Sequence, residues 1–461
     1  MYIVGALLLA CGTAVPDLAR KTSAAPQKTE MSLDDARPVI EALPKDLPRE
    51  FAGKSFQQLE QLWPEWRHQH DLDIRARLDR GDQDSLVNFW LYGTSFTKAP
   101  RAIPRDFGGE GARLNAVLDQ RARDLTTALG AATDDERIQF AQAVIRRKGI
   151  DVSAPAGAER LRRFLLDARK DVIAEYNRYQ AQLDAAARKD KNANITAYAT
   201  IFRDRGLSSD TSLLPSFGVD QALEAARSQQ LISRVKNVAI VGPGLDFTNK
   251  ADGYDFYPLQ TSQPYVVADS LVRLGVSARD ELTVTALDIS PRVVRHIESA
   301  RIASQSAARP YDVQIPLTRE EAWTPALLRF WNTVGERAGE VVVPIQPPPA
   351  AGALGLRAIR MNPGLVQRVN AIDCNVVLER LTADAPLFDI VIATNVFVYY
   401  NVFEQALATA NLAAMVRPGG LIVTNTLVLP TSPLSADISE LSVPYSDKQG
   451  DHMFVYRKLR R

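Results

Sequence analysis

From about Ser32 to Gln230, apolar residues recur every three or four positions with few β-branched runs, the period of helices that bury one stripe. The clearest case runs from Gly157 to Lys189, where Leu161, Phe164, Leu165, Ala168, Val172, Tyr176, Tyr179 and Leu183 share one face. Charges of both signs fill the rest of that helix, as on a solvated face. Two further helices, Gly111 to Leu129 and Asp134 to Lys148, are divided by the turn-prone Gly130 to Thr133. Trp63, Trp66, Trp90 and Tyr92 crowd the first part of the region and read as core or as a seam between domains. Residues 32–230 are therefore expected to form an all-helical domain.

After Leu231 the texture changes. Apolar, β-branched runs at Val235 to Val241, Leu282 to Leu287, Val369 to Ile372, Phe388 to Asn395 and Leu421 to Thr424 alternate with helical patterns such as Val266 to Leu274 and Val402 to Met415. That alternation predicts a largely parallel sheet with helices on both faces, over residues 231–461. Two last strands, Leu441 to Tyr445 and His452 to Arg457, flank Gly450 and read as a closing hairpin. Two insertions interrupt the pattern. Residues 247–265 hold five aromatics (Phe247, Tyr254, Phe256, Tyr257, Tyr265) and are expected to form a loop over a pocket. Residues 303–363 contain a capping-box pattern at Thr318 and Glu321, with Trp323, Phe330 and Trp331 behind it, and an extended Pro347-Pro348-Pro349.

Size and composition narrow the function classes. A chain of 461 residues exceeds what one core usually serves, so two domains are expected. With 46% hydrophobic residues and a net charge of +1, the chain has an ordinary globular composition and no electrostatic case for nucleic acid as a partner. Two cysteines, Cys11 and Cys374, and four histidines leave no disulfide framework and little material for a metal centre, so no metal is expected. His68 and His70 read as solvated or capping residues. The first residues end an apolar run in Leu-Leu-Ala-Cys, resembling a lipoprotein cleavage box with Cys11 as the lipid-bearing residue, and a flexible Ala/Thr/Ser/Pro/Lys tether follows to about residue 31. No Lys or Arg precedes that run, against the usual secretory pattern. Two locations thus stay open: cytoplasmic for a working enzyme, or lipid-anchored in the cell envelope through Cys11.

The candidate chemistry lies at strand ends. The first strand of the C-terminal half runs into Gly242-Pro243-Gly244, where backbone without Cβ can approach a ligand. The second ends in Asp288, placed to accept both hydroxyls of a ribose, with Ser290 and Pro291 opening the next helix. Forty-four positions separate Gly244 from Asp288, against roughly 20 in a compact nucleotide-binding unit, and the aromatic insertion occupies the difference. The third strand leads into Asp373-Cys374-Asn375, and the fourth ends at Asn395.

The run FDIVIATNVFVYYNVFEQALATANLAAMVRPGGLIVTN, preceded by VGPG and ALDIS, resembles class I S-adenosylmethionine-dependent methyltransferases; Asn-Val-Phe-Val-Tyr-Tyr is most similar to the chemotaxis-receptor glutamate methyltransferases. The resemblance covers the C-terminal half. It implies an α/β Rossmann-like domain with a seven-stranded, mostly parallel sheet, S-adenosylmethionine as cofactor, and a methyl acceptor that is a small molecule or a protein side chain. Gly242 and Gly244 would line the methionine and ribose, Asp288 would hold the ribose hydroxyls, Ile289 would pack on the adenine, and Asp373 and Asn375 would sit beside it. Asn395 would face the methyl group or the acceptor as the catalytic residue. Members of the family carry an acidic residue where this chain has Ile240 and a third glycine where it has Asp246; Asp246 is the expected substitute near the methionine amino group. Two other readings remain: a non-catalytic module that keeps the fold, favoured by a lipidated Cys11, and a nicotinamide-dependent oxidoreductase, opposed by Phe247 at the place of the third glycine of G-x-G-x-x-G.

Overall fold

The computed structural model describes residues 27–188, 202, 206–211, 213–248, 253–306, 309–317, 322–351, 354–428, 434–447 and 449–460. Cys11 and the expected tether up to residue 26 lie outside them, as do Thr318 and Glu321; the last residues expected as tether are instead held, with Lys28–Glu30 paired as a strand and Met31 buried.

The centre is a seven-stranded sheet. In spatial order its strands are β11 (Leu434–Pro444), β12 (Gly450–Lys458), β10 (Val416–Thr424), β9 (Phe388–Ala393), β2 (Asn237–Val241), β3 (Thr283–Asp288) and β7 (Val369–Asp373). The last five are parallel, and β12 runs antiparallel to both neighbours, so the expected mostly parallel sheet with a closing hairpin is what forms. Val238 to Val241 of β2 and Ile390 to Ala393 of β9 read as continuous apolar runs because both faces are covered. Strand order reverses between β2 and β9, which places a crevice outside their carboxyl ends.

Helices α1 (Leu33–Ala42), α2 (Phe56–Tyr92), α3 (Ala112–Leu129), α4 (Glu136–Arg147), α5 (Gly157–Ala187) and α6 (Leu214–Ser228) precede β2. They share cores with the sheet. On one face Leu86, Phe89 and Trp90 of α2 and Phe140 of α4 join one apolar cluster with Ile240, Val284 and Ile392. On the other, α1 and Trp63 join Val241, Val391 and α11 (Val402–Met415). A short β1 (Lys28–Glu30) even pairs with β8 (Glu379–Leu381). His70 stacks on Trp66 at 4.6 Å and meets Glu404 of α11 at 2.9 Å, so it is engaged at this seam rather than solvated.

Helices α7 (Gln263–Arg273) and α8 (Pro291–Ala303) follow β2 and β3. The aromatic insertion turns toward the helices. Phe247 is fully buried against Phe89 and Phe140, at ring separations of 5.5 and 4.8 Å, and none of the five aromatics lines the crevice. Buried Arg137 fixes this course by donating to the carbonyls of Asp246, Phe247 and Tyr257, while Asp255 accepts from the backbone of Thr94 and Ser95. Within 303–363 the chain forms a three-stranded antiparallel sheet, β4 (Asp312–Pro316), β6 (Leu356–Met361) and β5 (Gly339–Val342), and a helix α9 (Pro325–Thr333) capped by Thr324; a short α10 (Pro363–Val366) leads into β7.

Candidate active site

A cleft of about 720 Å³, counting its open mouth, lies at the carboxyl ends of β2, β3 and β9. Five of the residues expected from the sequence line it together: Gly242, Gly244, Asp288, Ile289 and Asn395. Each is there for a local reason. Gly242 and Gly244 leave β2 with φ of 60° and 64°, a conformation that L side chains resist. Asn395 leaves β9 in the same left-handed region, at φ 58°, and Asn tolerates it better than most residues. Reciprocal bonds hold it there: its backbone N–H donates to Asn425 Oδ1 at 2.8 Å, and Asn425 Nδ2 donates to Asn395 Oδ1 at 2.7 Å.

Asp288 ends β3 beside its register partner Asp373. It is buried and accepts backbone N–H bonds from Ser290, at 2.7 Å, and from Gly244. Burial pushes its carboxyl up to about 7, with the neighbouring Asp373 adding to the rise and the Arg292 charge opposing it. Such a carboxylate is short of donors, and two ligand hydroxyls would supply them.

Three expected residues sit elsewhere. The Asp246 side chain is buried behind the glycine turn, where it accepts from Tyr257 Oη at 2.8 Å and Gln260 Nε2 at 2.9 Å. Asn375 is buried beneath the cleft and donates to Asp71 of α2 at 2.7 Å. Asp373, 46% exposed, is paired with Arg75 of α2 at 2.8 Å. Cys374 between them does line the cleft, its buried thiol pushed up to about 12 mainly by burial.

The sequence reading missed one wall altogether. Residues 207–211 form a strap across the carboxyl edge of the sheet, and Leu78 of α2 with Tyr399 and Tyr400 completes the enclosure. The strap is tied on both sides. Leu207 N–H donates to Arg77 O at 3.0 Å, Leu245 N–H to Ser209 O at 2.8 Å, and Thr211 N–H to Leu245 O at 2.9 Å. Asp210, on the strap, lines the cleft and takes Arg292 of α8 at 2.8 Å; that guanidinium lies over the Phe140 and Phe247 rings.

No family model matches the chain, and no curated protein matches it either. Among solved structures it is similar to the N-methyltransferase NodS from Bradyrhizobium japonicum, at 11% identity over 52% of this chain and 98% of that one, with a TM-score of 0.25. An O-methyltransferase family protein from Burkholderia thailandensis aligns at 12% identity over 88% of this chain and 99% of its own, TM-score 0.26. Magnesium protoporphyrin IX methyltransferase from Synechocystis PCC 6803, with bound SAM, gives 10% identity, 52% and 79% coverage and a TM-score of 0.25. Likenesses this slight carry no weight for function, and the α/β Rossmann-like assignment rests on the strand order and directions of the chain itself.

Proposed function

We propose that this chain is an S-adenosylmethionine-dependent methyltransferase whose cofactor occupies the cleft at the switch point of the sheet. The observation that carries the reading is the convergence of the Gly242-Pro243-Gly244 turn, buried Asp288 and left-handed Asn395 on one cavity, although they end three different strands. The donor-poor Asp288 carboxylate accepts the ribose hydroxyls, Ile289 packs beside the base, and the glycine turn lets backbone approach the methionine portion. Asp210 replaces Asp246 as the carboxylate for the methionine amino group, because it lines the cleft and Asp246 does not.

When bound, the sulfonium supplies an already activated methyl group. The protein's task is then to hold donor and acceptor in line and keep them there. Arg77, bonded to Tyr399 O at 2.7 Å, and the strap ties make the cleft wall rigid, while Asn395 stands exposed at the mouth, on the side from which an acceptor would come.

Calorimetric titration of the full chain with S-adenosylmethionine and S-adenosylhomocysteine tests this, with Asp288→Ala and Asp210→Ala alongside. Micromolar binding, abolished by Asp288→Ala and weakened at least about tenfold by Asp210→Ala, is expected; loss of one charge-assisted contact is worth about 1.5–3 kcal/mol. Absence of binding at millimolar ligand would sink the enzyme reading in favour of a non-catalytic module.

A further inference from the structure

The carboxylate assigned above to the methionine end comes from the strap and not from the first strand of the sheet, where Ile240 stands in place of an acid. The backbone on either side of Asp210 is fixed. Leu245 N–H donates to Ser209 O and Thr211 N–H to Leu245 O, and a Cβ on Gly244 would lie 3.0 Å from Ser209 O. Among the described residues, one bond fixes its side chain: Arg292 Nη2 donates to Asp210 Oδ1 at 2.8 Å, and each side chain of the pair is 13% exposed.

Arg292 is placed against local preference. It is the second residue of α8, where the positive end of the helix dipole disfavours a cation. Its buried Nε and Nη1 have no hydrogen-bond partner, and the guanidinium instead sits in the corner of two rings. Its carbon lies 4.1 Å from the centroid of Phe140 and 4.8 Å from that of Phe247, and the rings meet edge to face at 73°. A half-satisfied buried ion pair stabilises a fold little compared with apolar packing, so stability does not account for it. Its position at the cleft does. Asp210 lines the cavity with Arg292 behind it, and two further acids, Asp82 of α2 and Asp246, are close enough to repel the strap carboxylate. Asp82 is itself bonded to Arg147 at 2.6 Å. Without Arg292, Asp210 would lose its partner cation and its hold while that repulsion stayed.

We infer that Arg292 is a positioning residue for the cofactor: braced by Phe140 and Phe247, it holds Asp210 so that the second carboxylate oxygen meets the amino group of the methionine portion. This rests on the methyltransferase reading and deepens it, since Phe140 of α4 makes the helices before the sheet part of what shapes the cleft. Arg292 acts through Asp210, so its influence is concentrated at the amino-acid end of the ligand. The ribose and base are held by Asp288 and Ile289.

The test is calorimetric titration of the full chain at pH 8 with two ligands that share base and ribose. S-adenosylhomocysteine carries the amino-acid end and 5′-methylthioadenosine lacks it. The wild type should prefer the first by at least about tenfold, a preference carried by the charge-assisted contact. Arg292→Gln should weaken S-adenosylhomocysteine at least about tenfold and methylthioadenosine less than about threefold, an allowance for the lesser influence of the Arg292 charge on Asp288. Arg292→Lys, a milder change that serves if the glutamine variant does not fold, should show the same split to a smaller degree. In an Asp210→Asn background, Arg292→Gln should cost S-adenosylhomocysteine less than about a further twofold, because both changes remove one contact. Equal losses for the two ligands, unchanged or tighter S-adenosylhomocysteine binding, additive losses in the double variant, or a wild type indifferent to the amino-acid end would each overturn the inference. A wild type that binds neither ligand would instead overturn the methyltransferase reading itself.

Discussion

Burial holds the Asp288 carboxyl up at about 7, and that has two measurable consequences. Hydroxyl donors bind the ionised carboxylate, so cofactor affinity should rise with pH, being about tenfold weaker near pH 6 than near pH 8 for a group that titrates at about 7. Titration calorimetry across that range checks it, and Asp288→Asn should give a weak, flat profile. Stability has the opposite slope. The folded state holds this proton more tightly than the unfolded chain, so the contribution is present below the unfolded value of 3.8 and is lost as pH rises through about 7. Asp288→Asn, which keeps an acceptor for the Ser290 N–H, should therefore match wild type near pH 4 and exceed it above pH 8, by up to about 4 kcal/mol at 1.36 kcal/mol per unit. Urea unfolding at the two pH values decides the matter. At this scale much was legible in the sequence: a glycine pair or an acid at a strand end carries its reason locally, which is why Gly242, Gly244, Asp288, Ile289 and Asn395 meet in one place. Asp246, Asp373 and Asn375 could not be placed that way, because the partners that draw them off (Tyr257 and Gln260, Arg75, Asp71) arrive from elements whose approach no local pattern encodes.

The elements of the sheet were legible for a related reason. Strands buried on both faces are rich in apolar residues, and α11 was legible from its helical pattern over Val402 to Met415; the reciprocal cap of Asn401 and Glu404 that opens it is seen only in the structure. The strap had no such signal. Ser208-Ser209-Asp210-Thr211 reads as an ordinary polar turn, and it becomes a wall only because α2 comes close enough to hold it. Gly81 permits that approach: a Cβ there would stand 1.8 Å from the Leu207 carbonyl oxygen, a backbone atom with nowhere to go. Gly81→Ala should push the strap off α2, cost about 2–4 kcal/mol of stability and weaken cofactor binding more than about tenfold, although residue 81 touches no ligand. Comparing denaturant midpoints with binding constants for this variant measures both effects. The small sheet β4–β6–β5 also escaped the sequence reading, since its strands are four to six residues long and lie among prolines that suggest extended loop.

For the molecule as a whole, the helices before β2 and the sheet after it share their apolar clusters, with Phe89, Phe140 and Phe247 in ring contact across the join. A helical segment and an α/β segment that merely adjoined would melt separately. This chain should instead unfold in a single calorimetric transition, and a fragment beginning at residue 231 should bind hydrophobic dyes and show no cooperative transition, since it would expose the faces that α2 and α4 now cover. Two well-separated heat-capacity peaks would contradict the shared core.

The pairing of β1 with β8 also sets a timetable. Lys28 finds Glu379 across 351 positions of chain, and Met31, fully buried in the finished protein, donates its N–H to the carbonyl of Leu378. On a ribosome adding roughly 5–20 residues per second, the first strand would wait some tens of seconds for its partner to be made. Throughout that interval α1 and the Trp63 face of α2 have only each other and Phe51 for cover and lack Leu378, Phe403 and Leu407, so the newborn chain would depend on chaperones until its last third has emerged.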